Sequence, residues 1–80
     1  MIVGKVNLQK YSSVEDGMEA IAKVRYKDSG APCRLFNNDG GKIRAEFDRP
    51  VKAIAPGQSA VFYEEEDVIG GGIIFSSSEL

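Results

Sequence analysis

Few side chains in this sequence can do covalent chemistry. Cys33 is the single cysteine, and there is no histidine. A thiol or hydroxyl nucleophile needs a nearby base, usually an imidazole, so Cys-His and Ser-His-Asp arrangements are excluded along with imidazole metal ligands. One cysteine also excludes an intramolecular disulfide and a cysteine-rich zinc site. Cys33 stands between Pro32 and Arg34 in an alternating run, the position of a small core residue. The run Glu64-Glu65-Glu66-Asp67 offers carboxylates to a divalent cation. Consecutive acids in a turn point in different directions, however, so a solvated loop is the plainer reading and no metal is expected. Gly70-Gly71-Gly72 fails as a phosphate cradle. Phe75 stands where G-x-G-x-x-G needs its last glycine, and no G-x-x-x-x-G-K-[ST] occurs.

What remains is electrostatic. Lys23, Arg25 and Lys27 alternate along one run, so a strand would set them on one face about 6–7 Å apart. Tyr26 lies beside them, and Arg34 follows in the next run. Such a row fits the phosphates of a nucleic-acid strand. On the residues alone, the solvated outer face of a half-buried strand is the plainer reading, since charged alternation produces it without any ligand.

The elements that must hold these residues read as strands. Glu19–Lys27 alternates with period two: Ala20, Ala22, Val24 and Tyr26 on one side, Ile21, Lys23, Arg25 and Lys27 on the other. Ala31–Asn38 and Lys42–Asp48 alternate likewise around Asn37-Asn38-Asp39-Gly40-Gly41, whose residues tolerate positive φ, and together predict a hairpin. Val51–Ala55 reads as a short strand halted by Pro56-Gly57, which fits a type II turn. Ser59–Glu64 is apolar on both faces and is expected to be covered on both. Val68–Phe75 carries three glycines, which in a strand imply a bulge, a barrel corner or a close backbone approach. Ala22, Val24, Ile43, Phe47, Val61 and Phe62 form the expected core. Ile2–Leu8 reads as a strand of a lead-in covering residues 1–18. Ser12–Gly17 contains a weak capping-box match, and a loop or single helical turn is expected there. The barrel is placed at residues 19–75, and residues 76–80 are expected to fray.

Six or seven short strands with turns between them predict an all-β fold, a small closed or nearly closed barrel. At 80 residues the chain is one domain, with no room for catalytic and substrate domains together. No apolar run approaches the about 18 residues of a membrane span. No basic segment leads into an apolar one at the start, so a cytoplasmic product and no membrane partner are expected. Residues 1–58 hold ten basic and seven acidic side chains, and residues 59–80 hold none and five, giving +3 and −5 and the overall −2. A basic footprint can therefore only be local.

Particular words in the sequence go further. Ala53-Ile54-Ala55-Pro56-Gly57-Gln58-Ser59-Ala60-Val61-Phe62-Tyr63, then Val68-Ile69-Gly70-Gly71-Gly72-Ile73-Ile74, resembles the C-terminal end of the bacterial tRNA-specific 2-thiouridylases, the MnmA/TrmU family. Lys23-Val24-Arg25-Tyr26-Lys27 looks like the family's K-x-R-Y-[RK] strand, and Ala45-Glu46-Phe47-Asp48-Arg49-Pro50-Val51 like its v-x-F-D-x-P-v segment. The resemblance spans roughly residues 20–75.

It implies a C-terminal barrel similar to the second domain of translation elongation factors. The parent enzyme would use ATP with Mg in an S-G-G-x-D-S domain to adenylate the wobble uridine of certain tRNAs. A pair of cysteines would then deliver sulfur. Neither that motif nor that pair is in this chain, which is expected to be an excised, non-catalytic domain without a cofactor of its own. Its implied partners are tRNA, the rest of the parent chain and a sulfur-relay protein. On this reading Lys23, Arg25, Lys27 and Arg34 would contact tRNA phosphates. Tyr26, Phe47, Asp48, Pro56, Gly57, Gln58, Phe62, Tyr63 and Gly70–Gly72 would be mainly structural. The alternative is a barrel that docks on the catalytic body or a relay protein through Ser59–Glu64 and the glycine strand, touching little RNA.

Overall fold

The computed structural model describes residues 1–24, 29–51 and 54–76. Among the described residues six strands follow one another: β1 (Ile2–Leu8), β2 (Met18–Lys23), β3 (Ala31–Asn38), β4 (Lys42–Phe47), β5 (Ser59–Glu64) and β6 (Asp67–Ser76), with one 3-10 turn at Asp39–Gly41. They close into a barrel in the order β1-β4-β3-β2-β5-β6, every neighbouring pair antiparallel. Closure leaves no strand edge exposed.

Register explains how so small a barrel fills its interior. Phe62 is fully buried, and it stands opposite Ala22 on β2 and Gly70 on β6. Leu35, also fully buried, stands opposite Ala45. Phe62 thus faces a small residue on both sides and Leu35 on one, while Leu35 also meets Met18 and Val3 meets Ile43 and Ile74, so large and small positions are mixed around the interior. Val3, Ile69 and Ile74 complete the largest buried side chains from β1 and β6. Val61 belongs elsewhere than expected: it is half-buried on the outer face, opposite Lys23 and Gly71. Phe47 is half-buried opposite Cys33 and packs on the core from its edge.

The first residues are more than a lead-in. β1 lies between β4 and β6 and closes the barrel. Its alternation is broken by a register shift against β6 between Gly4 and Asn7, where Lys5 takes a left-handed φ of 49°. That is a bulge, and a bulge shifts which side chains face inward. β6 also runs through Ser76, one residue into the expected tail; residues 77–80 lie outside the described residues.

Turn chemistry sets the other ends. Gln58 N–H donates to Ala55 O, Gly57 has φ 92°, and Pro56 precedes it, which makes the type II turn. The Gln58 side chain accepts from Ala55 N–H, so both backbone groups of Ala55 are spent on the turn, while Gly57 N–H donates to Ile74 O and Gln58 O accepts from Ile74 N–H, which pins the turn to β6. Accordingly Val51, Ile54 and Ala55 are not in a strand, and Lys52 and Ala53 lie outside the described residues. The loop between β1 and β2 is no helix. It inserts Val14, 4 % exposed, into the core, and Asn37 fastens it by donating to Val14 O and Asp16 Oδ1.

Candidate nucleic-acid interface

Lys23 ends β2 on its outer face. Its Nζ lies 4.9 Å from the centre of the Tyr63 ring, a contact that holds the ammonium without neutralising it. Among the described residues no carboxylate pairs with it. Arg25, Tyr26 and Lys27 lie outside the described residues.

Arg34 stands elsewhere. It pairs in register with Glu19, four residues before Lys23 on β2, so about 13 Å of strand separates the two cations. Its guanidinium donates to Gly17 O at 3.1 Å and to Glu19 Oε2 at 3.5 Å. It borders an open groove of about 330 Å³ that also holds Glu19, Asp48, Glu64 and Glu65. Four carboxylates against one guanidinium give that groove a negative field. The structure therefore does not bring Arg34 together with Lys23.

The acidic turn is not simply solvated. Lys10 Nζ lies 2.9 Å from Glu64 and 2.8 Å from Asp67, and Tyr11 Oη donates to Glu64 Oε1 at 2.5 Å. Hydrogen bonds from Lys10 and Tyr11 hold the Glu64 carboxyl below the usual carboxylate range and tie the β1–β2 loop to the β5–β6 hairpin. Among the described residues no group of metal-ligating side chains gathers, and no helix is long and apolar enough to cross a membrane. Cys33 is 3 % exposed, and burial, reinforced by Asp48, pushes its thiol up to about 12. The thiol is protonated at neutral pH and is not a reactive group.

Most of the resemblance-bearing residues build the scaffold: Phe62 the core, Pro56, Gly57 and Gln58 the turn, Tyr63 the seat of Lys23. The three glycines mark a close backbone approach. A Cβ at Gly70 would fall 2.5 Å from Asn7 O on β1, and one at Gly71 would fall 2.5 Å from Ala60 O on β5. β6 is pressed between two backbones, with register shifts against both. Because Gly71 has no side chain, an open groove of about 310 Å³ runs over it, with Val61, Val68 and Ile73 on its floor and Lys5, Asn7, Gln9 and Ser59 at its rim.

A second cationic face was not singled out by sequence. Arg44 on β4 lies in register between Ile2 on β1 and Phe36 on β3, its guanidinium carbon 4.6 Å from the centre of the Phe36 ring. Two residues before it, Lys42 places its Nζ 5.3 Å from the centre of the Phe75 ring. The outward alternation of β4 was the only available signal.

A family model described as the aminomethyltransferase beta-barrel domain matches residues 1–74. The chain belongs to that family, as the barrel that forms the C-terminal domain of the tRNA-specific 2-thiouridylases. It is 42 % identical over 74 residues to the tRNA-specific 2-thiouridylase MnmA of Lachnoclostridium phytofermentans, covering 92 % of this chain and 21 % of that protein. It is 47 % identical over 78 residues to the one from Amoebophilus asiaticus, covering 96 % and 20 %. A third, from Psychrobacter arcticus, is 49 % identical over 63 residues, covering 76 % and 15 %. The chain thus spans about a fifth of the length of the curated relatives it matches. The family membership covers β1 as well, in line with its place in the barrel.

Proposed function

We propose that this barrel is the accessory, tRNA-contacting C-terminal domain of a tRNA 2-thiouridylase, and that its part in the reaction is positioning. The match of nearly the whole chain to relatives bearing that name carries the reading. In this proposal 2-thiolation of the wobble uridine, with its ATP and Mg, belongs to a catalytic domain outside these 80 residues. The chain itself contributes no catalytic group, and the enzyme works in the cytoplasm. Lys23 is the best-placed phosphate contact, because it is outward and faces a ring rather than a carboxylate. Arg25 and Lys27 extend its row in sequence. Arg34 contributes less, since Glu19 already shares its charge.

The test is charge reversal at Lys23 and Arg25 in the full enzyme carrying this barrel. Affinity for tRNA should fall, and the log–log salt slope should shrink by about 0.7–0.9 per lost phosphate contact. An unchanged affinity and slope would remove these residues from the interface.

The groove over Gly71 favours a second reading, in which the β5–β6 face docks on the catalytic body or a sulfur-relay protein. Absence of tRNA binding at low salt, with an apolar surface that takes up a hydrophobic dye, would favour docking.

A further inference from the structure

Phe75 is exposed for a reason that the scaffold does not supply. Only Tyr11 and Phe75 are large exposed apolar side chains among the described residues, at 38 % and 46 %. Tyr11 is accounted for by its bond to Glu64. Phe75 has no such partner, yet β1 makes room for its ring. Gly4 stands beneath it, where a Cβ would fall 2.6 Å from Phe75 Cε1. The missing side chain lets the ring lie against the strand, with nearly half of the residue left exposed.

One cation stands beside that ring, and a second lies further along β4. Lys42 is next to Phe75 and has no carboxylate partner among the described residues. Arg44 follows two residues on, about 6–7 Å along the strand, which is roughly the separation of neighbouring phosphates on an extended nucleic-acid strand. Its Nε and Nη2 both go to Glu46 Oε2, at 3.0 and 2.9 Å, and its plane covers Phe36. Glu46 and Asp16 are the acids beside Arg44, Asp16 is engaged by the Asn37 N–H groups, and Asp39 stands three residues before Lys42 in the 3-10 turn. Across the face, β6 gives the Phe75 ring, β1 gives Gly4 and Ile2, β4 gives both cations and β3 gives the Phe36 ring. Unpaired bases stack on aromatic and guanidinium planes while their phosphates seek cations.

We propose that the outer face of β6, β1, β4 and β3 is a second RNA-binding face, in which Phe75 stacks an unpaired base, Lys42 holds the adjacent phosphate and Arg44, whose charge Glu46 already shares, lies beside it. The proposal rests on the tRNA-contact reading and adds a site distinct from the Lys23 row. It would let the barrel grip a loop and not only a duplex backbone.

The 80-residue chain, isotope-labelled, is titrated at low salt with a short stem–loop RNA while its amide signals are followed. A parallel titration uses polyglutamate. Shifts should concentrate at Phe36, Lys42, Arg44 and Phe75. Phe75→Ala and Lys42→Ala change outward side chains, and their unperturbed core signals verify the fold. Each should weaken RNA binding several-fold, with Lys42→Ala alone lowering the salt slope by about 0.7. Shifts confined to the Lys23 end would overturn this face and leave the tRNA reading intact. No shifts anywhere would overturn both. Equal response to polyglutamate, with Phe75→Ala silent, would make the face a surface for acidic protein and refute base stacking.

Discussion

Gly71→Ala should destabilise the barrel, although local propensity predicts the reverse. In a strand, alanine for glycine ordinarily gains about 0.5–1 kcal/mol, because glycine loses more backbone freedom on folding. Here the new Cβ would meet Ala60 O at 2.5 Å and Val61 Cα at 3.3 Å. The first contact is about 1 Å short of a relaxed non-bonded separation. The obstacle is backbone, not a side chain that could swing away, and Ala60 is in the β5–β6 ladder opposite Gly72. Relief therefore requires moving a strand of a closed barrel. Overpacking costs about 1–3 kcal/mol, and a clash against backbone belongs in the upper part of that range, about 2–3 kcal/mol, so the net loss should be about 1–2.5 kcal/mol. The whole domain has roughly 4–12 kcal/mol to lose at the usual stability per residue. Urea and thermal unfolding of the two proteins measure the effect. The midpoint should fall with m unchanged, and Tm should drop by about 5–15 °C. A variant as stable as the parent, or more so, would show that β5 and β6 do not approach as closely as the ladder requires.

Other consequences are simpler to state. Phe62→Ala should cost about 3–5 kcal/mol, roughly half of the total, because the ring is fully buried with only small residues opposite it; the urea midpoint should fall by about half, and a midpoint equal to that of the parent would refute the ring's place in the core. Cys33 should resist a thiol reagent at neutral pH, reacting about 10³-fold slower than in urea, since a pKa of about 12 leaves a thousandth of the thiolate of a free cysteine; rapid labelling of the native chain would refute its burial. Hydrogen bonds from Asn37 hold the Asp16 carboxyl below its ordinary range. Its stabilising contribution is thus fully present above the unfolded carboxylate pKa and is lost as pH falls through the folded one. Urea midpoints should decline on acidification, and Asp16→Asn should flatten part of that decline; a parallel profile would mean the loop is not fastened through Asp16.

The elements most legible in sequence are those with strict alternation between strong punctuation. β3 and β5 have the limits the pattern predicts, because Asn-Asp-Gly-Gly and Pro-Gly mark the turns beside them. β1 was harder. Its bulge at Lys5 breaks period two, so inward and outward positions cannot be told by alternation, and its partners β4 and β6 are remote in sequence. Val51–Ala55 misled in the opposite sense: the apolar pattern is that of a strand, but the turn around Pro56 takes the hydrogen bonds of its end. Val14 shows a third limit. Nothing local distinguishes a loop valine that plugs the barrel from one in solvent, and bonds from residues remote in sequence, Asn37, Arg34 and Glu64, set the loop there.

The candidate site divides along the same line. The words that identify the family are mostly words about the barrel: a core ring, a turn, glycines where backbones touch. They specify positions that any member must fill to close, whatever the barrel then contacts. Contact chemistry lives on outward positions, where sequence shows that a lysine or arginine points out but not what stands beside it. Lys23 and Arg34 look equivalent in the sequence, and strand pairing separates them, giving one a tyrosine ring and the other a glutamate. Lys42 and Arg44 look like ordinary solvent-facing residues until closure carries Phe75 and Phe36 to either side of them. The free charge of a cation is thus a property of the register rather than of the residue. For this barrel it makes Lys23 and Lys42 the positions at which a charge change should be felt by an RNA.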